Sequence, residues 1–229
     1  MNVALIPARG GSKGIPKKNL QMVNGKSLLS RTIQAAKDSK SIDLVFVSSD
    51  SKEILELASK CGAIAIQRSD QLSLDTTSTE EVILNELSNI ENHSGKIELL
   101  ILLQCTSPFS TSNEIDLVVN TLEENFEYHD AAFAVSECHS FIWQYDHSKK
   151  RASGINHKSD LPRQRRQDLK IKQYLELGSV YVVFREALLK SKCRFGTRPL
   201  PVEVSSKNSY IEIDSLEDLK IANLIAKEK

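Results

Sequence analysis

What this sequence lacks narrows it before any motif is read. Aromatic residues make up 6% of its 229 positions, with a single tryptophan, and Lys+Arg and Asp+Glu both count 30, leaving no net formal charge. A balanced chain offers no bulk field to a nucleic acid or a membrane surface, so any anion must be met by a local cluster of basic residues. Its four cysteines, Cys61, Cys105, Cys138 and Cys193, are scattered without a CxxC pair. That argues against a zinc site or a disulfide framework and suits reduced thiols. No apolar run, Leu99–Leu103 included, approaches the ~20 residues of a membrane helix. The first residues form an apolar run too short for a signal peptide and lack a basic leader. The expectation is a cytoplasmic protein with neither a nucleic acid nor a membrane as partner. Five histidines, at 93, 129, 139, 147 and 157, include no pair at metal-binding spacing, and no GxSxG elbow is present.

What is present is ordinary globular material: 40% hydrophobic and 26% charged residues, enough for one domain spanning 1–229. Short apolar runs alternate with helix-period segments. Residues 2–7, 43–48, 63–67, 98–104, 130–136, 178–184 and 199–204 read as strands. Helices are expected behind Leu28, Leu29, Ile33 and Ala36, from Ser51 to a stop at Gly62, from a capping box at Ser78–Glu81, from a second at Thr111–Glu114, and over 215–227. This alternation predicts an α/β, Rossmann-like fold, with a mostly parallel sheet flanked by helices and a ligand beyond the carboxyl ends of the strands. Residues 139–173 break the rhythm. They are polar and basic, with Trp143, Tyr145 and the run Arg163-Gln164-Arg165-Arg166-Gln167, and read as an inserted arm in which both aromatics serve packing.

The most informative stretch follows the first strand: Ala8-Arg9-Gly10-Gly11-Ser12-Lys13-Gly14-Ile15-Pro16-Lys17-Lys18-Asn19. Glycines here let the backbone approach a ligand and turn its N–H groups inward, while Arg9, Lys13 and Lys18 add positive charge suited to a triphosphate. It is not a Walker A loop: Gly25-Lys26-Ser27 has the right ending, but Leu20 stands where the first glycine belongs. GxGxxG is absent as well, which argues against a nicotinamide cofactor.

With Lys18-Asn19-Leu20 closing it, this loop resembles the first motif of the N-acylneuraminate cytidylyltransferases. Four further segments are similar to that family in the same order: Arg68 with Asp75-Thr76-Thr77-Ser78; Leu103-Gln104-Cys105-Thr106-Ser107-Pro108; Pro162 to Asp168 with Tyr174 to Tyr181; and Ile211-Glu212-Ile213-Asp214. The resemblance implies a nucleotidyltransferase fold with a dimerisation arm. The implied activity is Mg²⁺-dependent transfer of CMP from CTP to a nine-carbon sugar acid, releasing pyrophosphate, in a homodimer. Arg9, Ser12, Lys13 and Lys18 would hold the phosphates, Ala8, Gly11, Asn19, Arg68 and Thr79 the nucleotide, and Gln104 the sugar acid. Arg165 or Arg166 would meet the sugar carboxylate across a dimer interface. Glu212 and Asp214 would bind Mg²⁺, alternation along a strand placing both on one face.

Cys105 departs from a proline of the family pattern, Ser110 from a frequent arginine, Leu177 from an asparagine and Glu212 from an aspartate. The Leu177 and Ser110 changes leave the sugar open among sialic, legionaminic, pseudaminic and deaminated neuraminic acids. The eight-carbon Kdo branch fits less well, because its first loop usually reads closer to YxSTRxPGKPL. A non-catalytic nucleotide-binding homologue is the alternative of a different class.

Overall fold

A computed structural model describes residues 1–229 apart from 13, 164, 166, 168–170, 205–207 and 228–229. Eleven strands and six α-helices are formed among the described residues: β1 (Asn2–Pro7), β2 (Met22–Val23), β3 (Lys26–Ser27), α1 (Leu28–Asp38), β4 (Leu44–Ser49), α2 (Lys52–Lys60), β5 (Ile64–Gln67), α3 (Thr79–Ser94), β6 (Leu99–Leu103), α4 (Ser112–Glu124), β7 (Ala131–Glu137), β8 (Trp143–Asp146), β9 (Arg151–Gly154), β10 (Tyr174–Phe184), α5 (Arg185–Ser191), β11 (Pro199–Glu203) and α6 (Leu216–Lys227). Seven strands make the central sheet in the order β11-β7-β10-β6-β1-β4-β5. All of its pairings are parallel except those of β10, which runs antiparallel to both β6 and β7.

Burial follows from the pleat. Successive side chains of a strand face opposite sides, so a strand covered on both faces must be apolar throughout. In β6, Leu99, Ile101 and Leu103 join the cluster under α1, α2, α4 and α6, while Leu100 and Leu102 join the one under α3 and α5. β1 divides likewise, Ala4 and Ile6 to the first face and Val3 and Leu5 to the second. Both capping boxes are formed: Ser78 and Thr111 accept from the N–H groups of Glu81 and Glu114, whose carboxylates accept from the cap N–H groups in return. α2 stops at Cys61, with Gly62 at φ +81°, as a left-handed C′ position requires.

Three differences from the sequence-based expectation have physical causes. β10 starts at Tyr174 rather than 178, because it carries a register shift between Glu176 and Tyr181 that interrupts its alternation. Asn24 and Gly25, both at positive φ, join β2 to β3 in a small hairpin that an Asn-Gly pair signals and that was not expected. Residues 211–214 form no strand. One backbone bond, Ile213 N–H to the Thr106 carbonyl at 2.8 Å, pins them beside the segment that follows β6. Inside the arm, β8 and β9 form a two-stranded ribbon in which Trp143 packs edge-on against His157.

Candidate functional site

A cavity of about 330 Å³ opens beyond the carboxyl ends of β1, β5 and β6, the place a doubly wound sheet offers a ligand. Arg9, Gly11, Ser12, Lys18 and Asn19 line it from the loop after β1, Arg68 from the segment after β5, Ser78 and Thr79 from the start of α3, and Gln104, Cys105 and Thr106 from the end of β6. Residues as far apart as 9 and 104 are thus brought together. Lys13 and Arg166 lie outside the described residues.

The loop is held by bonds of its own. Asn19 donates to the Arg9 carbonyl at 2.9 Å, closing the base, and the Gly10 N–H donates to Asp50 at 2.7 Å. That bond corrects part of the sequence reading, since Gly10 turns its N–H to a neighbouring carboxylate and not to a ligand. Ala8 is wholly buried outside the cavity lining, and its N–H donates to the Ser48 carbonyl at 2.9 Å. Gly14 has a packing reason, because a methyl there would come 2.7 Å from the backbone oxygen of Asp214. The loop therefore rests directly on the 211–214 segment. At the mouth, Arg9 pairs with Asp75 at 2.7 Å.

Lys18 and Asp214 meet at 3.0 Å, the lysine mostly covered and the aspartate exposed. Glu212 is placed differently, accepting the Gly178 N–H at 2.5 Å from Oε1. Ile211 and Ile213 are buried between and beside these acids, so burial does alternate along the segment although no strand forms. As a test of fit to Mg²⁺, an exposed carboxylate beside the cationic loop after β1 is an arrangement this ion accepts. It keeps several waters and takes one or two carboxylates plus substrate phosphates. Asp214 fits that role; Glu212 fits it less well, with one oxygen committed to β10.

Arg68 is nearly buried and anchored from beneath the cavity. Its Nε donates to Ser48 Oγ at 3.0 Å and its Nη2 to the Ser48 carbonyl at 2.7 Å, while the Ser48 hydroxyl donates to the buried Glu86 at 2.6 Å. Burial lowers the Arg68 pKa, Glu86 and Asp50 opposing and Arg9 adding to the shift. The Arg68–Ser48 bonds and their link to Glu86 do not follow from the motifs. A glutamate on the apolar face of α3, among Val82, Ile83, Leu87 and Ile90, is the signal that could have found them. Burial pushes the Cys105 thiol up to about 12, against smaller lowering by Thr32 and Lys18, so the thiol lining this cavity is neutral.

Leu177 is buried in the core and Ser110 hydrogen-bonds the Ser107 carbonyl, so neither departure places a side chain in the cavity. Arg165 is exposed in the arm and does not line the cavity of its own chain.

The sequence pattern described as Cytidylyltransferase matches residues 3–194, most of the chain. The chain belongs to the cytidylyltransferase family. This cytidylyltransferase is 30% identical over 234 residues to the pseudaminic acid cytidylyltransferase of Campylobacter jejuni serotype O:2, covering 99% of this chain and 96% of that protein. It is 30% identical over 241 residues to the N-acylneuraminate cytidylyltransferase of Escherichia coli O18:K1:H7, covering 99% of this chain and 52% of that longer protein. Its fold is shared by CMP:2-keto-3-deoxy-manno-octonic acid synthetase complexed with CTP, with a TM-score of 0.69 at 17% identity over 100% of this chain and 99% of that one. The 4-diphosphocytidyl-2C-methyl-D-erythritol synthase of Anaerococcus prevotii is similar in fold, with a TM-score of 0.70 at 14% identity, covering 99% and 98% of the two chains. The cytidylyltransferase is a nucleotidyltransferase enzyme. No described helix is long and apolar enough to cross a membrane.

Proposed function

We propose that this enzyme transfers CMP from CTP to the anomeric hydroxyl of a nine-carbon, sialic-acid-like sugar acid, releasing pyrophosphate. One observation carries the reading: one cavity is lined by the loop cations Arg9 and Lys18 and by Gln104, with Lys18 paired to Asp214. The sugar oxygen attacks the α-phosphorus while the bond to the β-phosphate breaks, a displacement that depends on positioning and charge neutralisation. Lys18 and Arg9 neutralise the phosphates, Arg68 and Thr79 place the nucleotide, and Gln104 orients the acceptor. Mg²⁺, held by Asp214, would screen the triphosphate and stabilise charge on the leaving pyrophosphate. When nucleotide enters, Lys18 exchanges Asp214 for a phosphate oxygen, leaving the carboxylate to the cation. A pseudaminic-type acid is the second reading, favoured by the nearly full-length match to the Campylobacter enzyme.

The exposed apolar side chains of the arm, Ile142, Trp143, Tyr145, Ile155 and Leu161, support a homodimer in which Arg165 serves the partner's cavity. A sedimentation mass twice that of the chain is expected, and a monomer at all concentrations would contradict it. Four free thiols support a cytoplasmic location, which recovery in a membrane or secreted fraction would refute. The reaction itself is tested with ¹⁸O at the anomeric hydroxyl. The label is expected in the bridging oxygen of the CMP-sugar; label in pyrophosphate would show a different bond breaking.

A further inference from the structure

Gly178 lies within the register shift of β10 and does not have a positive φ, so backbone freedom does not explain the glycine. Space does. A methyl there would overlap Oε1 of Glu212 and come within 3.0 Å of Oε1 of Gln104. Glu212 accepts the Gly178 N–H at 2.5 Å, and the Gln104 N–H donates to the carbonyl of Ser179 next door at 3.3 Å. Glu212, Gly178 and Gln104 therefore form one packed unit, of which Gln104 lines the cavity. Two residues on, Asp214 has a different partner, Lys18 at 3.0 Å. The Ile213 bond to Thr106 fixes the segment between them.

We infer that the two acids divide their work: Glu212 is a positioning residue for the acceptor, holding the β10 irregularity and Gln104, and Asp214 is the carboxylate for the cation. The inference rests on the CTP-dependent reaction proposed above. It is tested with Mn²⁺ as the cation probe, measuring free Mn²⁺ by electron paramagnetic resonance with CTP present, alongside KM for each substrate. Asp214→Asn is expected to weaken Mn²⁺ binding by about tenfold or more. Glu212→Ala and Gly178→Ala are expected to hold Mn²⁺ within about threefold while raising the sugar-acid KM by about tenfold, the scale of one lost hydrogen bond, with the CTP KM little changed. Glu212→Gln, which keeps an accepting oxygen but not the charge, is expected to recover most of that KM loss. Equal losses of Mn²⁺ affinity in Glu212→Ala and Asp214→Asn would overturn the division, as would an unchanged sugar KM in both Glu212→Ala and Gly178→Ala. Gly178→Ala carries the test if Glu212→Ala fails to fold. If the wild type turns over no sugar acid, the functional reading fails, while the Mn²⁺ titrations still decide between the two acids.

Discussion

Lys18→Ala is expected to lower turnover by about 10²–10³-fold while leaving the melting temperature nearly unchanged. The side chain is mostly covered, its ammonium is aimed at the cavity, and its recorded ion-pair partner is an exposed carboxylate. Such a pair contributes little to folding, since exposed ion pairs are worth about 0–1 kcal/mol. Against a triphosphate the same charge acts where negative charge develops on the departing pyrophosphate, and removing one donor of this kind costs about 10²–10³ in kcat. The backbone does not depend on the ammonium: Lys17 takes the left-handed turn at φ 50°, and the following turn closes through Leu20 N–H to Lys17 and Gln21 N–H to Lys18. Steady-state kinetics with a thermal melt measure both halves. Full activity in a folded variant, or a large fall in melting temperature, would remove Lys18 from the phosphate site.

Ser48→Ala is expected to act on stability and on nucleotide binding together. The hydroxyl is wholly buried and stands between Arg68 and Glu86, accepting from one and donating to the other. Deleting it leaves a buried guanidinium and a buried carboxylate each short of a partner, although the Arg68 bond to the Ser48 carbonyl survives. Unsatisfied buried polar groups cost about 1–3 kcal/mol each, more when charged, so a loss of about 3 kcal/mol is expected. For a chain of this size that lowers the melting temperature by roughly 6–12 °C. Because Arg68 lines the cavity, the KM for CTP is expected to rise as well. A melt within about 2 °C of wild type, where less than 1 kcal/mol is lost, would show that the relay does not support Arg68.

How much of this was legible in sequence varied with the physics of each part. β6 was plain because burial on both faces demands an unbroken apolar run, and α3 and α4 were plain because their capping boxes are local. The place of the Arg9–Asn19 loop at the cavity was legible because the loop follows a strand whose carboxyl end fixes where it stands. The Ser48–Arg68–Glu86 relay was not, because three residues 20 and 18 positions apart are brought together only when β4, β5 and α3 pack. The family resemblance pairs Glu212 with Asp214; the contact Glu212 makes with Gly178, 34 residues away, has no local sequence signal. The start of β10 was misplaced for a similar reason, since a register shift removes the alternation that marks a strand.

The measurement that bears most directly on the whole account is pyrophosphate release with Mg²⁺ and each of the four nucleoside triphosphates, offered with a panel of sugar acids that includes sialic and pseudaminic types. The account predicts release with CTP plus one nine-carbon acid, and none with either substrate alone. Release that ignores the sugar or prefers another triphosphate would contradict it. So would silence across the panel with CTP bound, which would reduce the protein to a nucleotide binder.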